Sequence, residues 1–342
     1  MPIDSDFRCH VCGHAEGIRH RVREMMFGTG EEFSYWECAA CGCLQLTNPP
    51  SDLARHYPTD TYCSFNTALE AAPGRVELRR GWLRRWLWQE RNAAVCFGRP
   101  GIFAWLARWR PNPMATHFRT WLQHTHVNSF TARIADLGCG KGTTLRELAL
   151  LGFTSLLGVD PFLPEDRAFG PVRLIAQPIE TLVGQSFDLL MLHHSLEHMP
   201  DQHAVFRLIR KLISVGGVCL IRIPLASQGP WRRYGTDWVE LDAPRHFFLH
   251  TEQSLQRLAS ANGLRVQHIE YEAEPFSYAV SELYRRGVTY FDSQTGRYRD
   301  WRTLFSPVEV IDFERLATDD RVPDRAGRAA FYLSAAPLPA AI

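Results

Sequence analysis

Strand-like and helix-like segments alternate along the chain from about residue 130 to residue 272. This alternation constrains the fold more than any other feature. The strand-like runs are Arg133–Leu137, Ser155–Val159, Val172–Ala176, Phe187–Leu192, Val218–Ile223 and Leu264–Tyr271. Helices fit Thr143–Leu151, Gln202–Ile213 and Thr251–Asn262, with Asp201 placed as the N-cap of the second. Strands separated by helices imply an α/β fold, a doubly wound and mostly parallel sheet with helices on both faces. After residue 272 the pattern weakens until Ala329–Ala335, which reads as a last strand.

The first strand runs into Asp136-Leu137-Gly138-Cys139-Gly140-Lys141-Gly142 and then a helix. Glycines permit a tight turn and a close approach of backbone to a ligand, and the helix N-terminus beyond offers free N–H groups. The spacing is GxGxG rather than the GxGxxG of a dinucleotide fold, and an acid precedes it. The second strand ends at Gly158-Val159-Asp160, where a carboxylate can take both hydroxyls of a ribose.

The fourth strand ends in His193-His194-Ser195-Leu196-Glu197-His198-Met199-Pro200-Asp201. Ligands of open α/β sheets bind at the carboxyl ends of the strands, so this segment faces the ligand. Two roles stay open for it: an imidazole serving as a base with Glu197 orienting it, or a brace for the next helix. A second cluster holds Trp231-Arg232-Arg233-Tyr234-Gly235, Trp238 and Asp242-Ala243-Pro244-Arg245-His246-Phe247-Phe248. Aromatic faces beside arginines suit sugar rings or phosphates, and a packed loop anchored by its aromatics is the other reading.

The N-terminal region carries Cys9-His10-Val11-Cys12 and Cys38-Ala39-Ala40-Cys41, two CxxC pairs with 25 residues between them. Four thiolates from two tight turns satisfy a tetrahedral zinc. Cys43, His10 and His14 lie nearby as alternates, but the symmetry of the pairs favours the four named. Such a site is closed, so the metal is expected to be structural. Nine cysteines in a chain whose first residues are acidic, with no apolar leader, favour metal binding in a cytoplasmic protein over disulfides.

The glycine turn flanked by Asp136 and Asp160, with Phe187-Asp188 opening strand four, resembles the class I methyltransferases that use S-adenosylmethionine. The Leu-Glu-His-Met-Pro and Pro-Arg-His stretches resemble enzymes that methylate small metabolites and glycans, and the zinc motif is similar to that of bacterial sugar methyltransferases with an N-terminal zinc-binding domain. The resemblance implies cofactor contacts from Asp136, Gly138, Cys139, Gly140, Asp160, Pro161, Ile179, Glu180 and His193. It also implies methyl transfer to a hydroxyl of a sugar or glycan, lipid-linked in one version. A sugar hydroxyl needs a base. His198 supported by Glu197 is the first candidate, followed by His194 and His246. The chain then divides into a zinc module at 1–60, a helical Arg/Trp-rich lid or linker at 61–128, and a methyltransferase domain at 129–342. Substrate-region insertions are expected at about 225–250 and 273–327.

Competing readings are a sugar C-methyltransferase, an RNA methyltransferase and a non-catalytic cofactor-binding module. A net charge of +1 provides no global attraction to nucleic acid, so no nucleic-acid partner is expected. No apolar run reaches the ~18–20 residues needed to span a bilayer. Residues 75–110 alternate arginines with Trp82, Trp86, Trp88, Trp105 and Trp109, with breaks near Gly98-Arg99-Pro100-Gly101 and Pro111-Asn112-Pro113. Three expectations attach to this segment: a lid over the cofactor, a homodimer contact, or peripheral contact with a membrane.

Overall fold

The computed structural model describes residues 7–57, 82–110, 112–227 and 229–336, without the side chains at 82, 84 and 85. Arg75, Arg79 and Arg80 of the Arg/Trp segment lie outside the described residues, as does the proposed boundary between residues 60 and 61.

Three strands come first: β1 (Gly17–Arg23), β2 (Glu32–Cys38) and β3 (Leu44–Leu46). The helices α1 (Trp82–Cys96), α2 (Ile102–Trp109) and α3 (Pro113–Leu122) follow, broken near the two Gly/Pro stretches singled out above. Pro113 sits in the first turn of α3, and the Asn112 side chain caps it by accepting from Met114 N–H.

The large sheet is built from β4 (Arg133–Leu137), β5 (Ser155–Val159), β6 (Arg167–Phe169), β7 (Val172–Ile175), β8 (Phe187–His193), β9 (Ile213–Pro224), β11 (Leu264–Glu272) and β14 (Arg328–Ala335). Between them lie α4 (Thr143–Leu151), α5 (Gln202–Leu212), α6 (Pro230–Tyr234), β10 (Phe248–Leu249), α7 (Glu252–Ala261), α8 (Pro275–Arg285), the hairpin β12 (Phe291–Asp292) and β13 (Arg297–Tyr298), and α9 (Pro307–Asp319). Asp201 caps α5 through Ala204 N–H, as its position suggested.

The strand order is β11-β14-β9-β8-β4-β5-β7-β6. Pairs β4·β5, β4·β8, β5·β7 and β8·β9 are parallel, while β14 is antiparallel to both neighbours. The last strand therefore inserts between β9 and β11 instead of extending an edge. The chain fills one side of β4 with β5 and β7, then crosses to β8 on the other. That reversal opens a crevice at the carboxyl ends of β4 and β8, where such sheets bind ligands. The glycine turn and the His193–His198 segment both leave the sheet there.

The N-terminal module is not a free-standing unit. Its strands form the sheet β1-β2-β3-β10, so its fourth strand comes from residues 248–249. Cys9, Trp36, Cys38 and Cys41 pack in one core with Leu192, Ile221 and Phe248 of the large sheet and its loops. Tyr35 donates its hydroxyl to His246 O at 2.7 Å, and Leu46 N–H bonds Phe247 O at 2.9 Å. A separate core joins α6, α8, α9 and the loop at 235–249, so the two expected insertions at 225–250 and 273–327 pack on each other.

Candidate active site

The turn after β4 depends on glycine for steric reasons. Gly138 has φ +78°, and a Cβ there would lie 2.5 Å from Ser195 Cβ. Ser195 is itself pinned by donating to Leu137 O at 2.7 Å. The turn and the post-β8 segment thus sit against each other, which only a residue without a side chain allows. Gly142 has φ +73° and is packed on Leu174, fixing the entry to α4.

Asp160, at the end of β5, accepts from Gly140 N–H at 2.8 Å through one oxygen and from Phe162 N–H at 2.9 Å through the other. These bonds hold the carboxylate at the turn and leave each oxygen a further lone pair for a diol. Asp136 lies buried beneath, and its Oδ1 has no hydrogen-bond partner. Burial, aided by the charge of Asp160, pushes its pKa up to about 7. Cys139 lies in the turn beside Gly158, which a Cβ would drive into its sulfur. Pro161 follows Asp160, and Ile179 and Glu180 begin a single 3-10 turn after β7, Ile179 buried and Glu180 exposed. All of these lie along the carboxyl edge of β4, β5 and β7.

His193 ends β8 with its ring 4.7 Å from that of Trp121, and neither ring nitrogen has a partner. Burial, together with the nearby Arg222, His194 and His117, holds its pKa well below the usual value, so it is neutral. His194 adopts φ +51° and bonds Arg222 O through its N–H, which turns its side chain out of the strand path. That side chain is 36% exposed, with Nδ1 3.5 Å from Glu197 Oε1.

Glu197 is 1% exposed, and neither oxygen of its carboxylate makes a standard hydrogen bond. Burial alone would raise its pKa. The His194 contact and the imidazoles of His246 and His198 outweigh this and bring it down to about 2. The carboxylate is therefore ionised among three histidines, and the ligand-type atoms of Glu197, His198 and His246 lie within 4.8 Å of one another.

His198 is placed differently from what its position in sequence suggested. Its Nδ1 sits 3.0 Å from both Arg245 O and the Tyr57 hydroxyl, and its ring packs edge-on against His246. Burial and His246 bring its pKa down to about 4. It is a neutral imidazole clamped between three segments, which corrects the expectation of a base poised near neutrality. His246 is likewise buried, with Nδ1 2.7 Å from Glu240 O. Of the candidate bases, only His194 combines exposure with a carboxylate behind it.

The loop after β9 also departs from expectation. Trp231, Tyr234, Trp238 and Phe248 are buried, so their faces are not offered to a sugar. Arg245 is 0% exposed and is paired with Asp242 at 2.6 Å and Glu24 at 3.0 Å. It also donates to His56 O and lies over the Phe27 ring. The Pro-Arg-His stretch ties the N-terminal module to the sheet. Tyr57 and Phe162, whose rings stack at 6.0 Å, line the same crevice edge and were missed. No local motif marks them, because Tyr57 reaches His198 across 141 residues.

The four cysteines converge. Cys9 and Cys41 sulfurs are 3.6 Å apart, as are those of Cys12 and Cys38, and all four lie within 4.8 Å of one another. A tetrahedron with Zn–S of ~2.3 Å has sulfur–sulfur edges of about 3.8 Å. Backbone N–H groups of Val11 and Cys12 point at Cys9 Sγ, and those of Ala40 and Cys41 at Cys38 Sγ. Gln45 donates to Cys9 Sγ at 3.0 Å. Hydrogen bonding with Cys41 brings the Cys9 thiol down to about 5 against the effect of burial. The donor set and its spacing fit a divalent zinc. Cys43 points instead toward Leu44 O and His250, and His10 and His14 lie outside the cluster.

Residues 117–269 match the protein family described as "Methyltransferase domain". Among solved structures, the chain is similar to a SAM dependent methyltransferase from Archaeoglobus fulgidus, with 18% identity and a TM-score of 0.40 over 68% of this chain and 98% of that one. It is also similar to the mycolic acid cyclopropane synthase CmaA1 complexed with SAH and CTAB, with 15% identity and a TM-score of 0.42 over 64% and 85%. A third is an S-adenosylmethionine dependent methyltransferase from Mesorhizobium loti, with 18% identity and a TM-score of 0.37 over 59% and 90%. No curated protein matches the chain. The sheet order, the glycine turn and the two acids define a class I methyltransferase fold. Residues 117–269 carry a methyltransferase domain, and the chain is an enzyme, a methyltransferase.

Proposed function

We propose that the enzyme methylates a hydroxyl of a sugar or glycan and that His194, with Glu197 behind it, removes the hydroxyl proton. The observation that carries the base assignment is the pairing of a half-exposed imidazole with a buried, ionised carboxylate at 3.5 Å, at the carboxyl end of β8. When bound, S-adenosylmethionine supplies a methyl group already activated on a sulfonium. The chain's own part is then to position the acceptor and hold its proton. Asp160 would take the ribose hydroxyls, the Gly138–Gly140 backbone would approach the methionine end, and Asp136 would lie beneath the cationic groups. His194 would accept the acceptor's proton, and Glu197 would stabilise the imidazolium that forms. The acceptor class rests on the Leu-Glu-His-Met-Pro and Pro-Arg-His resemblances. We also assign Cys9, Cys12, Cys38 and Cys41 to one structural zinc, which leaves no open position for chemistry.

The test is methyl incorporation into a panel of nucleotide sugars and glycans, with the added methyl located by mass spectrometry. With the acceptor found, His194→Ala is expected to slow single-turnover transfer by ~10²-fold or more while cofactor affinity is kept. Comparable loss from His198→Ala with His194→Ala near wild type would refute the base assignment. A methyl found on carbon would refute the hydroxyl.

A further inference from the structure

In α2, Ile102, Trp105, Leu106 and Trp109 recur at i, i+3, i+4 and i+7, the spacing that lines one face of a helix. A helix docked on a core buries that face. Here it is the outer one. Ile102 is 66% exposed, Trp105 56% and Trp109 73%, and Leu106 is exposed too, while the only buried residue of the helix is Ala107. The neighbouring α1 repeats the arrangement with Leu83, Trp86 and Leu87, all exposed. Trp86 meets Phe103 edge-on at 5.6 Å, joining the two helices into one apolar surface. Trp105 and Trp109 pack edge-on at 5.8 Å within it. Nothing among the described residues covers this surface. Contiguous exposed apolar surface of this kind marks an interaction site.

The charge of the segment indicates the occupant. The whole chain is nearly balanced, with 38 Lys+Arg against 37 Asp+Glu. Residues 82–110 hold six arginines, at 84, 85, 91, 99, 108 and 110, and one acid, Glu90. Arg99, Arg108 and Arg110 are exposed around the tryptophans. A second copy docked by two-fold symmetry would bring the same basic surface against itself, which like-charge repulsion opposes. An anionic lipid surface meets both requirements. Tryptophan rings settle at the boundary between headgroups and acyl chains, and guanidinium groups pair with phosphates.

We propose that α1 and α2 form a docking face for an anionic phospholipid bilayer, which the chain engages from one side. No described helix is long and apolar enough to cross a membrane. The face lies close to the chemistry: Asn92 of α1 bonds Asn112, the cap of α3, at 3.1 Å, and Trp121 of α3 lies against His193. Docking would hold the crevice near the membrane surface, where a lipid-linked acceptor resides. The docking surface stands independently of the acceptor and base assignments.

The experiment is co-sedimentation of the full chain with large unilamellar vesicles. One set is phosphatidylcholine alone, and the other is phosphatidylcholine with a quarter phosphatidylglycerol. Binding to the anionic vesicles is expected, with weak binding to the neutral ones and release as salt is raised. Trp105→Ser with Trp109→Ser should lower partitioning at least tenfold. Arg108→Gln and Arg110→Gln should each lower it roughly fivefold. Cofactor affinity by calorimetry should be unchanged in all variants, which also reports folding. In the wild-type chain, brominated phosphatidylglycerol should quench tryptophan fluorescence, a readout that needs no variant. Absence of binding to anionic vesicles, equal binding to neutral ones, or full binding by the tryptophan variant overturns the proposal. So does a dimer in light scattering that the tryptophan variant dissociates, which would assign the face to a second copy.

Discussion

Asp136→Asn isolates the one acid of the site that the fold holds in an unfavourable state. Its Oδ1 is unpartnered, and burial with the neighbouring Asp160 raises its pKa from 3.8 to about 7. A shift of about three units, at ~1.36 kcal/mol each, sets a ceiling near 4 kcal/mol, and relaxation around the site brings the expected range to about 2–4 kcal/mol. Because the folded pKa lies above the unfolded one, the folded state keeps a proton that the unfolded state releases. Stability from this group is therefore fully present below about pH 4, falls as pH rises, and levels off above about pH 7. Asparagine is similar in shape and never ionises. Its amide brings a donor that itself needs a partner, a roughly constant cost of ~1–3 kcal/mol. The informative quantity is thus the difference between the two pH profiles. Urea unfolding followed by tryptophan fluorescence at pH 4.5 and pH 8 should show wild type losing about 2–3 kcal/mol more than Asp136→Asn over that interval. Parallel profiles would refute the reading of Asp136 as a proton-holding acid. A cationic cofactor above this carboxylate should displace the proton, so S-adenosylmethionine affinity should rise with pH up to about 7 in wild type and stay flat in the variant.

Asp160→Ala should weaken S-adenosylmethionine by ~1.5–3 kcal/mol, roughly 10- to 150-fold, since a charged acceptor is lost. Calorimetry giving wild-type affinity would remove Asp160 from the cofactor site. The purified chain should carry one zinc, and Cys9→Ser with Cys38→Ser together should abolish it and lower the melting temperature. Full zinc occupancy in that double variant, by metal analysis, would rule out this ligand set. Arg245→Ala leaves Asp242 and Glu24 buried without their partner, so a loss of ~3–5 kcal/mol in urea unfolding is expected. A loss below about 1 kcal/mol would mean that this residue does not hold the module to the sheet.

Features that act within a short stretch of chain were legible from sequence. β4, β5 and α4 begin and end at the residues their periodicity indicated, and Asp201 caps α5, because helix, strand and cap are decided by neighbours a few positions apart. The CxxC pairs were legible for the same reason, each being one tight turn that presents two sulfurs. Features that depend on distant partners belonged to the tertiary structure alone. The insertion of β14 between β9 and β11 pairs residues about 60 to more than 100 positions apart, and β10 completes the N-terminal sheet across about 200. Sequence indicated histidines at the carboxyl end of β8. It could not rank them, because accessibility and pKa depend on what surrounds each ring: Tyr57 and Arg245 clamp His198, while His194 stays open. The same holds for the aromatic-rich segments. Periodicity gives α2 an apolar face, and composition gives the loop at 231–248 its tryptophans and arginines. Only the packing of the rest of the chain turns the first outward and buries the second, since burial is a property of the whole surface and not of any window of residues.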